Sequence, residues 1–586
     1  DYFDLYRKFT YSAQESYRLD HIAFVELGER KDGNPFETFR EWYTKDYQSF
    51  IEYNIQDVEI VDKLEDKMGL IELCLTMAYD AKVNYVDVLG SVRYWDILIY
   101  NHLREKNIVI PPKRKSEKIE KFEGAYVKDP QVGMHKWVMS FDLNSLYPHL
   151  IMQYNISPET LMPSEIKEGM VDKILDGKIR NTTDHCMTPN GAFFRKDKRG
   201  FLPEIMETMY NDRTKYKRLM LEAKQQYEDT KDPRLLKHIS LYNNIQMAKK
   251  ISLNSAYGAI GNNWFRYFDL MVATAITTSG QLSIRWIEKS LNIYLNKILE
   301  TKNEDYVIAS DTDSVYITFD VLVSKVFKEG GTPERITDFL DKIANEKLEP
   351  FILKSYTALA KTMNAYEQKM QMSREVIADK GIWTAKKRYI LNAWDIEGVR
   401  YKTPQLKIMG IEAVKSSTPA VCRQKIKDAL NIIMTGDEKE LNNFIQEFRD
   451  EFMNLPPEDI AYPRSVNGLK KFSSSNGMFA KGAPIHCKGA ILYNHLVKKH
   501  KMSNKYPIIQ EGDKIKFLHM KQPNIYTSSA FSFLTSFPKE LDIIDRIDYD
   551  EQYTKSFVEP LRTITEKMLW KIDDSYGTQG TLEEFF

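Results

Sequence analysis

The sequence predicts an α+β fold divided among several domains. Its 586 residues exceed what one hydrophobic core organises, because single cores stop growing near roughly 250 to 300 residues. Short β-type runs occur at 136–143 and 306–319, the second interrupted by an acidic turn, whereas long helical patterns cover 203–262 and 419–454. Separate strand and helix patterns of this kind indicate an α+β chain.

Composition excludes some classes of protein and leaves others open. Hydrophobic residues make up 42% of the chain, enough for packed cores, and no run approaches the roughly 18 uncharged apolar residues of a membrane span. The opening carries no secretion pattern. Four cysteines without a CxxC pair favour a reducing, cytoplasmic location and no structural zinc. Because 83 basic residues balance 83 acidic ones, gross charge does not indicate a nucleic-acid partner.

The first strand pattern is preceded by a helix-rich region and followed by a turn. Residues 1 to about 110 are helix-rich and end at Pro111-Pro112, before the charged linker from Lys113. The β-type run 136–143 then contains Asp142 near its end, and the chain turns at Pro148.

The pattern at 203–262 predicts an antiparallel helical hairpin that turns near residue 231. Arg213 and Lys217 lie four apart on its first helix, and Lys250, Asn254 and Tyr257 share a face of its second. Arg213 and Lys250 lie at matching distances from the turn, so the hairpin collects three cations at one level. A triphosphate would relieve their repulsion, whereas the alternative is exposed cations on unrelated faces.

Three carboxylates lie at the ends of predicted strands. Asp142 closes one strand, and Asp311 and Asp313 lie at the tip of the hairpin over 306–319. If one sheet brings them together, they repel unless a divalent cation lies between them, and Mg²⁺ typically takes one or two carboxylates plus substrate phosphates. A tight turn aims only one of the tip residues at a shared point, and Asp313 is favoured. The alternative is a solvated turn.

Three segments in order resemble the A, B and C motifs of family B DNA polymerases. They are Ser140-Phe-Asp-Leu-Asn-Ser-Leu-Tyr-Pro, Lys250-Ile-Ser-Leu-Asn-Ser-Ala-Tyr-Gly and Asp311-Thr-Asp-Ser. The likeness extends over essentially the whole chain and is strongest to replicative polymerases of large tailed bacteriophages. It implies a right-hand polymerase with an antiparallel palm sheet plus helices, helical-hairpin fingers and a mostly helical thumb, preceded by a remnant of an RNase H-like exonuclease domain.

The resemblance also implies domain bounds. These are 1–75 for the C-terminal portion of a 3′–5′ exonuclease domain, 76–113 for a linker and N-terminal-domain return segment, 114–200 for the first palm segment, 201–262 for the fingers, 263–404 for the second palm segment, 405–574 for the thumb and 575–586 for a clamp-binding tail.

Catalytic roles are implied for specific residues. Asp142 and Asp313 would hold two Mg²⁺ ions, with Mn²⁺ able to substitute, the Leu143 carbonyl as a further contact and Asp311 nearby. Lys250 would donate to the leaving pyrophosphate, and Tyr147 would exclude a ribose 2′-hydroxyl. The residues implied to bind the nucleotide are Arg213, Lys217, Lys250, Asn254, Tyr147, Ser145, Leu146, Tyr257 and Gly258.

Contacts with DNA and with a sliding clamp are implied as well. A basic segment runs from Lys380 to Lys415, which taken alone could equally be a solvated basic face. Its members that match primer–template contacts of the family are Lys386, Lys387, Arg388, Tyr389, Lys407 and Lys415. Such contacts position a duplex without reading its sequence. The tail residues Gln579, Leu582, Phe585 and Phe586 resemble a clamp-binding peptide, the alternative being a frayed terminus.

The sequence departs from the family in four places, one of which is the hairpin link from Glu228 to Pro233, shorter than in the phage relatives. Tyr53 and Asp57 match the third exonuclease motif, but the first two are missing, so this chain alone is expected not to proofread. Either the upstream region was removed or a separate N-terminal polypeptide completes the nuclease, and the second is favoured. Ala309-Ser310 stands where relatives have Tyr-Gly, and Glu375 is the surviving candidate for a third carboxylate.

The expected function is template-dependent addition of dNTPs to a primer 3′-OH in viral DNA replication, in the cytoplasm of a bacterial host. A catalytically idle scaffold that binds DNA and clamp is the alternative. A protein-primed polymerase would require large insertions around the palm motifs, and none is visible.

Overall fold

A computed structural model describes residues 1–572 apart from 11–12, 32, 34, 37, 114–121, 329 and 474–478. It confirms the predicted α+β class, with one six-stranded antiparallel sheet, a smaller three-stranded sheet and long helices. Among the described helices, none has the length and apolar character that crossing a bilayer requires.

The described portion of the first 110 residues is helical. Its helices are α1 (Tyr2–Phe9), α2 (Leu19–Leu27), α3 (Phe39–Lys45), α4 (Tyr47–Met68), α5 (Leu70–Ala81) and α6 (Ser91–Glu105). The side chains of Asp1 and Asp46 cap the first turns of α1 and α4 by accepting main-chain amide hydrogens. Gly69 breaks α4 from α5 in a left-handed conformation, with φ 60°.

The large sheet collects strands that are far apart in the sequence. The strands that the structure describes before residue 410 are β1 (Gly133–Leu143), β2 (Cys186–Met187), β3 (Phe193–Phe194), β4 (Val307–Asp311), β5 (Ser314–Thr318), β6 (Met372–Ala385), β7 (Arg388–Ile396) and β8 (Val399–Met409). The sheet order is β4-β5-β1-β6-β7-β8, with every neighbouring pair antiparallel, while β2 and β3 pair separately. The order places β1 between the β4–β5 hairpin and β6.

Helices pack behind this sheet, and two of them form a long hairpin. They are α7 (Leu146–Tyr154), α8 (Met170–Leu175), α9 (Phe201–Thr230), α10 (Arg234–Ile260), α11 (Leu270–Leu299), α12 (Asp320–Val326), α13 (Pro333–Ile343) and α14 (Glu349–Thr362). The hairpin expected over 203–262 is formed by α9 and α10, with Lys231 in the left-handed region at the turn. Helix α11 is buried along most of its length and packs against α7, α14 and the sheet.

The C-terminal region has its own hydrophobic core and a second sheet. Its elements are α15 (Ala420–Thr435), α16 (Glu438–Phe452), α17 (Pro457–Ile460), β9 (Tyr462–Ser465), α18 (Leu469–Phe472), α19 (Ile485–Lys499), β10 (Lys514–His519), β11 (Ala530–Phe533), α20 (Tyr549–Tyr553) and α21 (Glu559–Thr565). Strands β9 and β11 flank β10. Ile382 and Ile390 of the large sheet belong to this second core, and β8 continues past the boundary expected at 404/405. The two regions therefore share a packed junction.

Candidate active site

Asp142 lies near the end of β1, and Asp313 lies in the tight turn that joins β4 to the neighbouring strand β5, at the same end of the sheet. Asp142 pairs with Ser314 of β5 on one side and with Ser373 of β6 on the other. The amide of Leu143 donates to the carbonyl oxygen of Asp313 at 2.9 Å. Thr312, between the two tip aspartates, has φ 53°, and this left-handed residue makes the tight turn. Residues 171 positions apart in the chain are thus held beside each other by sheet hydrogen bonds.

The two carboxylates repel in a partly buried setting. Burial raises the pKa of Asp142 to about 8, and the Asp313 and Glu375 carboxylates add to the rise. Burial also raises the pKa of Asp313 to about 6, with Asp311 and Glu375 adding to it. Both shifts mean that two negative charges here are costly without a cation.

The donor set fits a hard divalent cation that completes its shell elsewhere. Among the described residues, no group of three or more His, Cys, Asp or Glu side chains is placed to hold a metal ion. Mg²⁺ in phosphoryl-transfer sites usually takes one or two carboxylates plus water and substrate phosphates. Asp142 and Asp313 match that requirement.

Glu375 is neutralised within the protein. Its Oε1 lies 2.6 Å from Nζ of Lys407, and its Oε2 accepts a hydrogen bond from the Ser140 hydroxyl at 3.1 Å. Both side chains of the Lys407–Glu375 pair are about three-quarters buried, at 22% and 25% exposure. Lys407, expected at DNA, therefore lies against the sheet, where its charge lowers the pKa of Asp142.

A strained turn after β1 builds the wall beside the carboxylates. Ser145 has φ 47° and precedes α7, so that Leu146 is buried and Tyr147 projects toward the fingers. The rings of Tyr147 and Tyr257 lie 4.6 Å apart. A Cβ added at Gly280 would lie 3.5 Å from both the Leu146 and Tyr147 side chains, so this wall is closely packed. Burial raises the pKa of Tyr147 and the Asp313 carboxylate adds to the rise, so the ring lies near that carboxylate.

The finger cations lack acidic partners. Arg213, Lys217 and Lys250 form no ion pair with any carboxylate among the residues that the structure describes. Arg213 reaches Ser145 with Nη1 at 3.4 Å, while its Nε is buried and has no hydrogen-bond partner among the described residues. A buried guanidinium donor without a partner is unfavourable, and an anion between Ser145 and the fingers would satisfy it. Asn254 and Gly258 are exposed on α10.

The residues in and near the β6–β7 turn that are expected to contact DNA differ in their exposure and in their ion pairs. Lys386 pairs with the exposed Asp129 at 3.0 Å and Lys387 with Asp311 at 2.9 Å, and both lysines are largely exposed. Arg388 and Lys415 share Glu412. Tyr389 is 5% exposed and shares a hydrogen bond with the Tyr316 hydroxyl at 2.6 Å. Its location suits bracing of the turn rather than surface contact.

Tyr53 and Asp57 lie one turn apart on α4, away from the sheet site. Nζ of Lys31 lies 2.5 Å from Oδ1 of Asp57 and 4.4 Å from the centre of the Tyr53 ring. Gln579, Leu582, Phe585 and Phe586 lie outside the described residues, so their proposed clamp contact has no structural account.

Sequence reasoning missed two groups of charged residues. Lys249, 8% exposed, pairs with Asp80 at 2.7 Å and with Asp212 at 3.1 Å. Its signal was its helical spacing from buried Ser252, Leu253 and Ala256, which placed a lysine on a buried face. The partners of Glu412 gave no such signal, because Arg388 lies 24 residues away.

The fold and the site together define a class. Carboxylates that meet at one end of an antiparallel sheet, beside a hairpin whose Arg213, Lys217 and Lys250 form no ion pair among the described residues, are suited to nucleotidyl transfer. In that reaction metal ions and cations stabilise a transferring phosphoryl group. This is the arrangement of a right-hand nucleic acid polymerase.

Comparison with known proteins identifies the family. The model for DNA polymerase family B matches residues 91–348. The chain is 36% identical to the DNA-directed DNA polymerase of Escherichia phage RB69, over 100% of this chain and 70% of the relative, and 32% identical to that of Enterobacteria phage T4, over 97% and 68%. It is 23% identical to the DNA polymerase delta catalytic subunit of Dictyostelium discoideum, over 86% and 41%. The chain belongs to DNA polymerase family B.

Proposed function

We propose that this chain is a DNA-directed DNA polymerase that extends a primer 3′-OH opposite a template strand in the replication of viral DNA. The observation that carries the proposal is that the sheet holds Asp142 beside the turn residue Asp313, close to Ser145, which Arg213 of the helical hairpin reaches. Arg213, Lys217 and Lys250 of that hairpin form no ion pair among the described residues. Family membership supports the same activity.

Separate residues would bind the metal ions, the triphosphate, and the sugar and base. Asp142 and Asp313 would hold divalent cations, proposed to be a pair of Mg²⁺ ions, which supply charge stabilisation at the attacking and leaving oxygens. Arg213, Lys217 and Lys250 would bind the triphosphate, and Lys250 would donate to the departing pyrophosphate. Tyr147 and Tyr257 form an apolar wall for the sugar and base, and closure of α9 and α10 over the nucleotide would exclude water.

Primer extension tests the proposal. A labelled primer–template with four dNTPs and Mg²⁺ should be extended by the wild type, and Asp313→Asn or Asp142→Asn should lower the rate on the order of 10²–10³-fold or more. Asp542→Asn is the matched control, because this exposed aspartate has φ 51°, a conformation that asparagine tolerates. Replacing Mg²⁺ by Mn²⁺ or Ca²⁺ addresses the choice of metal.

An idle scaffold is the competing function. A scaffold would bind the primer–template with undiminished affinity and extend nothing at any metal concentration, so measuring binding and extension on the same preparation separates the two. Arg213, Lys217 and Lys250 form no ion pair in the part of the chain that the structure describes, and this favours the enzyme, because binding duplex alone gives these finger residues no anion.

Partners beyond DNA and dNTPs belong to the same proposal. A sliding clamp would bind the tail residues Gln579, Leu582, Phe585 and Phe586. A separate polypeptide would carry the missing exonuclease carboxylates and complete a nuclease site with Tyr53 and Asp57. Both complexes would form in the bacterial cytoplasm. Purification from the native source tests both. Recovery of this chain with neither a clamp nor a nuclease-bearing chain would contradict them.

A further inference from the structure

His149 is a buried histidine on α7 that belongs neither to the proposed metal ligands nor to the proposed nucleotide contacts. It is 5% exposed and lies one helical turn after Ser145, the strained residue that follows β1. Helix α7 packs against α9, the first helix of the fingers, and His149 lies at that junction. A polar ring buried there needs hydrogen-bond partners, because burying it without them is unfavourable.

The imidazole restrains the Ser145 turn. Its Nδ1 lies 3.0 Å from the carbonyl oxygen of Ser145. Because a carbonyl oxygen can only accept, Nδ1 carries the proton in this contact. The main-chain amide of His149 donates to the same oxygen at 3.2 Å. Two hydrogen bonds from one residue therefore hold the Ser145 carbonyl group in place.

Ser145 needs this restraint because its conformation is costly. It has φ 47° and ψ 58° at the N-cap of α7, and its hydroxyl group makes no hydrogen bond to the described first turn of that helix. A serine at an N-cap usually caps the helix with its side chain, and a left-handed conformation is strained for residues other than glycine. The hydroxyl group instead contacts Arg213, whose Nη1 lies 3.4 Å away. The turn thus gives up its helix cap for a contact with the fingers.

The ring of His149 also contacts α9 directly. The ring of Tyr210 lies edge-on to it, with 4.5 Å between the ring centres, and Arg213 follows Tyr210 by one turn on the same face of α9. Burial lowers the pKa of His149, the hydrogen bond to Ser145 opposes this, and the charges of Lys369 and Arg213 lower the pKa further. The ring is therefore neutral near pH 7 and adds no positive charge beside Arg213.

We propose that His149 is a positioning residue for nucleotide binding, which fixes the Ser145 turn and thereby holds Arg213 where the triphosphate binds. This inference rests on the proposed function, in which Arg213 contacts that triphosphate. The effect of His149 passes through the carbonyl and hydroxyl groups of Ser145 to a guanidinium group whose Nε has no partner among the described residues. His149 itself does not touch the substrate.

Steady-state incorporation of dCTP opposite template G, at saturating primer–template, tests the inference. His149→Leu removes the donor to Ser145 and should raise the KM for dCTP roughly tenfold, the scale of one lost hydrogen bond. Both kcat and the Kd for primer–template should stay close to wild type. His149→Asn should restore most of the nucleotide affinity, because its amide nitrogen can take the place of Nδ1 and donate to the same carbonyl oxygen.

His135→Leu is the matched control. Nε2 of His135 lies 2.7 Å from the carbonyl oxygen of Gln131, also four residues earlier in the chain, but near the start of β1 and away from α9. Its loss should leave the KM for dCTP unchanged. An equal rise in KM for both leucine variants would overturn the inference, because it would show a general loss of structure.

A double-mutant cycle tests the path through Ser145. Ser145→Ala removes the hydroxyl group that contacts Arg213, so its effect on the KM and that of His149→Leu should be less than additive, since both loosen the same contact. Additive effects, or an unchanged KM in His149→Leu, would overturn the inference and leave His149 as a residue of the core only.

NMR of protein labelled with ¹⁵N-histidine gives a measurement that does not depend on activity or on the leucine variant. The signal lost in a folded His149 variant identifies the residue. It should come from a neutral ring protonated at Nδ1 at pH 7 and above, although free histidine titrates near about 6.5. A ring protonated at Nε2, or a charged ring at pH 7, would overturn the inference. Failure of the wild type to extend primers would contradict the polymerase proposal and is distinguished from this outcome by the NMR result.

Discussion

At the scale of single residues, the environment of a side chain decides its role more than its motif does. Asp142 and Asp313 were predictable, because a carboxylate that ends a strand and another at a hairpin tip meet if the strands pair. The neutralisation of Glu375 by Lys407 was not predictable, because the two lie 32 residues apart on β6 and β8. Their contact requires β7 between them to be in register.

The Lys407–Glu375 pair leads to a prediction about metal demand. The Lys407 charge lowers the pKa of Asp142, which burial and neighbouring carboxylates raise to about 8. Lys407→Met should raise that pKa further. Because divalent cations bind the deprotonated carboxylate, the variant should need more Mg²⁺ for half-maximal extension at pH 7, and the deficit should shrink at pH 9. Magnesium titrations at both pH values measure this, with Lys402→Met, at an exposed position of β8, as control. An equal deficit at both pH values would contradict it.

A second residue-scale prediction concerns sugar discrimination. Tyr147 packs against Tyr257 and faces the side of Gly280, and its ring is proposed to lie beneath the sugar of the incoming nucleotide, where it would exclude an added hydroxyl group. Tyr147→Ala should raise kcat/KM for a ribonucleotide relative to its deoxy counterpart by roughly 10²-fold, the scale on which a pocket rejects an added hydroxyl.

Tyr147→Phe is the control for sugar discrimination, since it keeps the ring. Single-nucleotide incorporation of dCTP and CTP opposite template G measures the ratio. Discrimination that survives the alanine change would show that another group rejects the ribose.

At the scale of secondary-structure elements, hydrophobic periodicity predicted the long helices but not the short strands of the C-terminal region. The α9–α10 hairpin and its turn near residue 231 follow from helical spacing over 203–262. Strands β9, β10 and β11 were not anticipated, because runs of four to six residues between helices have little pattern of their own and form only when the C-terminal core brings them together.

Lys249 links the two finger helices to α5, and this link leads to the next prediction. Its ammonium group lies between Asp80 of α5 and Asp212 of α9. Lys249 directly precedes Lys250 in the sequence, and Asp212 directly precedes Arg213. Lys249→Met should leave two carboxylates unpaired and let the hairpin shift. The KM for dNTP should rise on the order of tenfold, about 1.4 kcal/mol, with DNA affinity unchanged.

Steady-state incorporation under saturating primer–template measures the effect at Lys249. Lys249→Arg should restore most of the nucleotide affinity, and Lys237→Met, at an exposed position of α10, should have no effect. A change in thermal stability without any change in KM would show that the triad is structural only and does not position the residues that bind the triphosphate.

At the scale of the whole molecule, the first residues of the chain contact its last domain. Glu15, 7% exposed, pairs with Arg423 of α15 at 2.6 Å, and Lys514 of β10 donates to the Gln14 carbonyl oxygen at 3.2 Å. This long-range closure was beyond sequence reasoning, because the partners are 408 residues apart and neither belongs to a recognisable motif.

The closure predicts a pH-dependent loss of stability when one partner is removed. Burial raises the pKa of Glu15 and Asp459 adds to the rise, while Arg423, Lys516 and Lys514 oppose it. A carboxyl group with a raised folded-state pKa stabilises fully below its ordinary pKa and loses that contribution as pH rises through the folded value. Arg423→Met removes the strongest opposing charge, so the folded pKa should rise further.

The loss in free energy of unfolding that Arg423→Met causes should therefore increase from pH 5 to pH 8. It should reach about 3 kcal/mol, the cost of leaving a buried charge unpaired. Thermal unfolding midpoints across that range measure it. Arg449→Met breaks an ion pair of an equally buried arginine, 26% exposed against 25%, whose partner Asp550 is exposed, and it should cost little at any pH. Glu15→Gln combined with Arg423→Met should remove the pH-dependent component, since no carboxyl group then remains to titrate. A loss of stability that stays constant with pH would mean that Glu15 is hydrated in solution and that its ion pair does not hold the N-terminal segment against the C-terminal region.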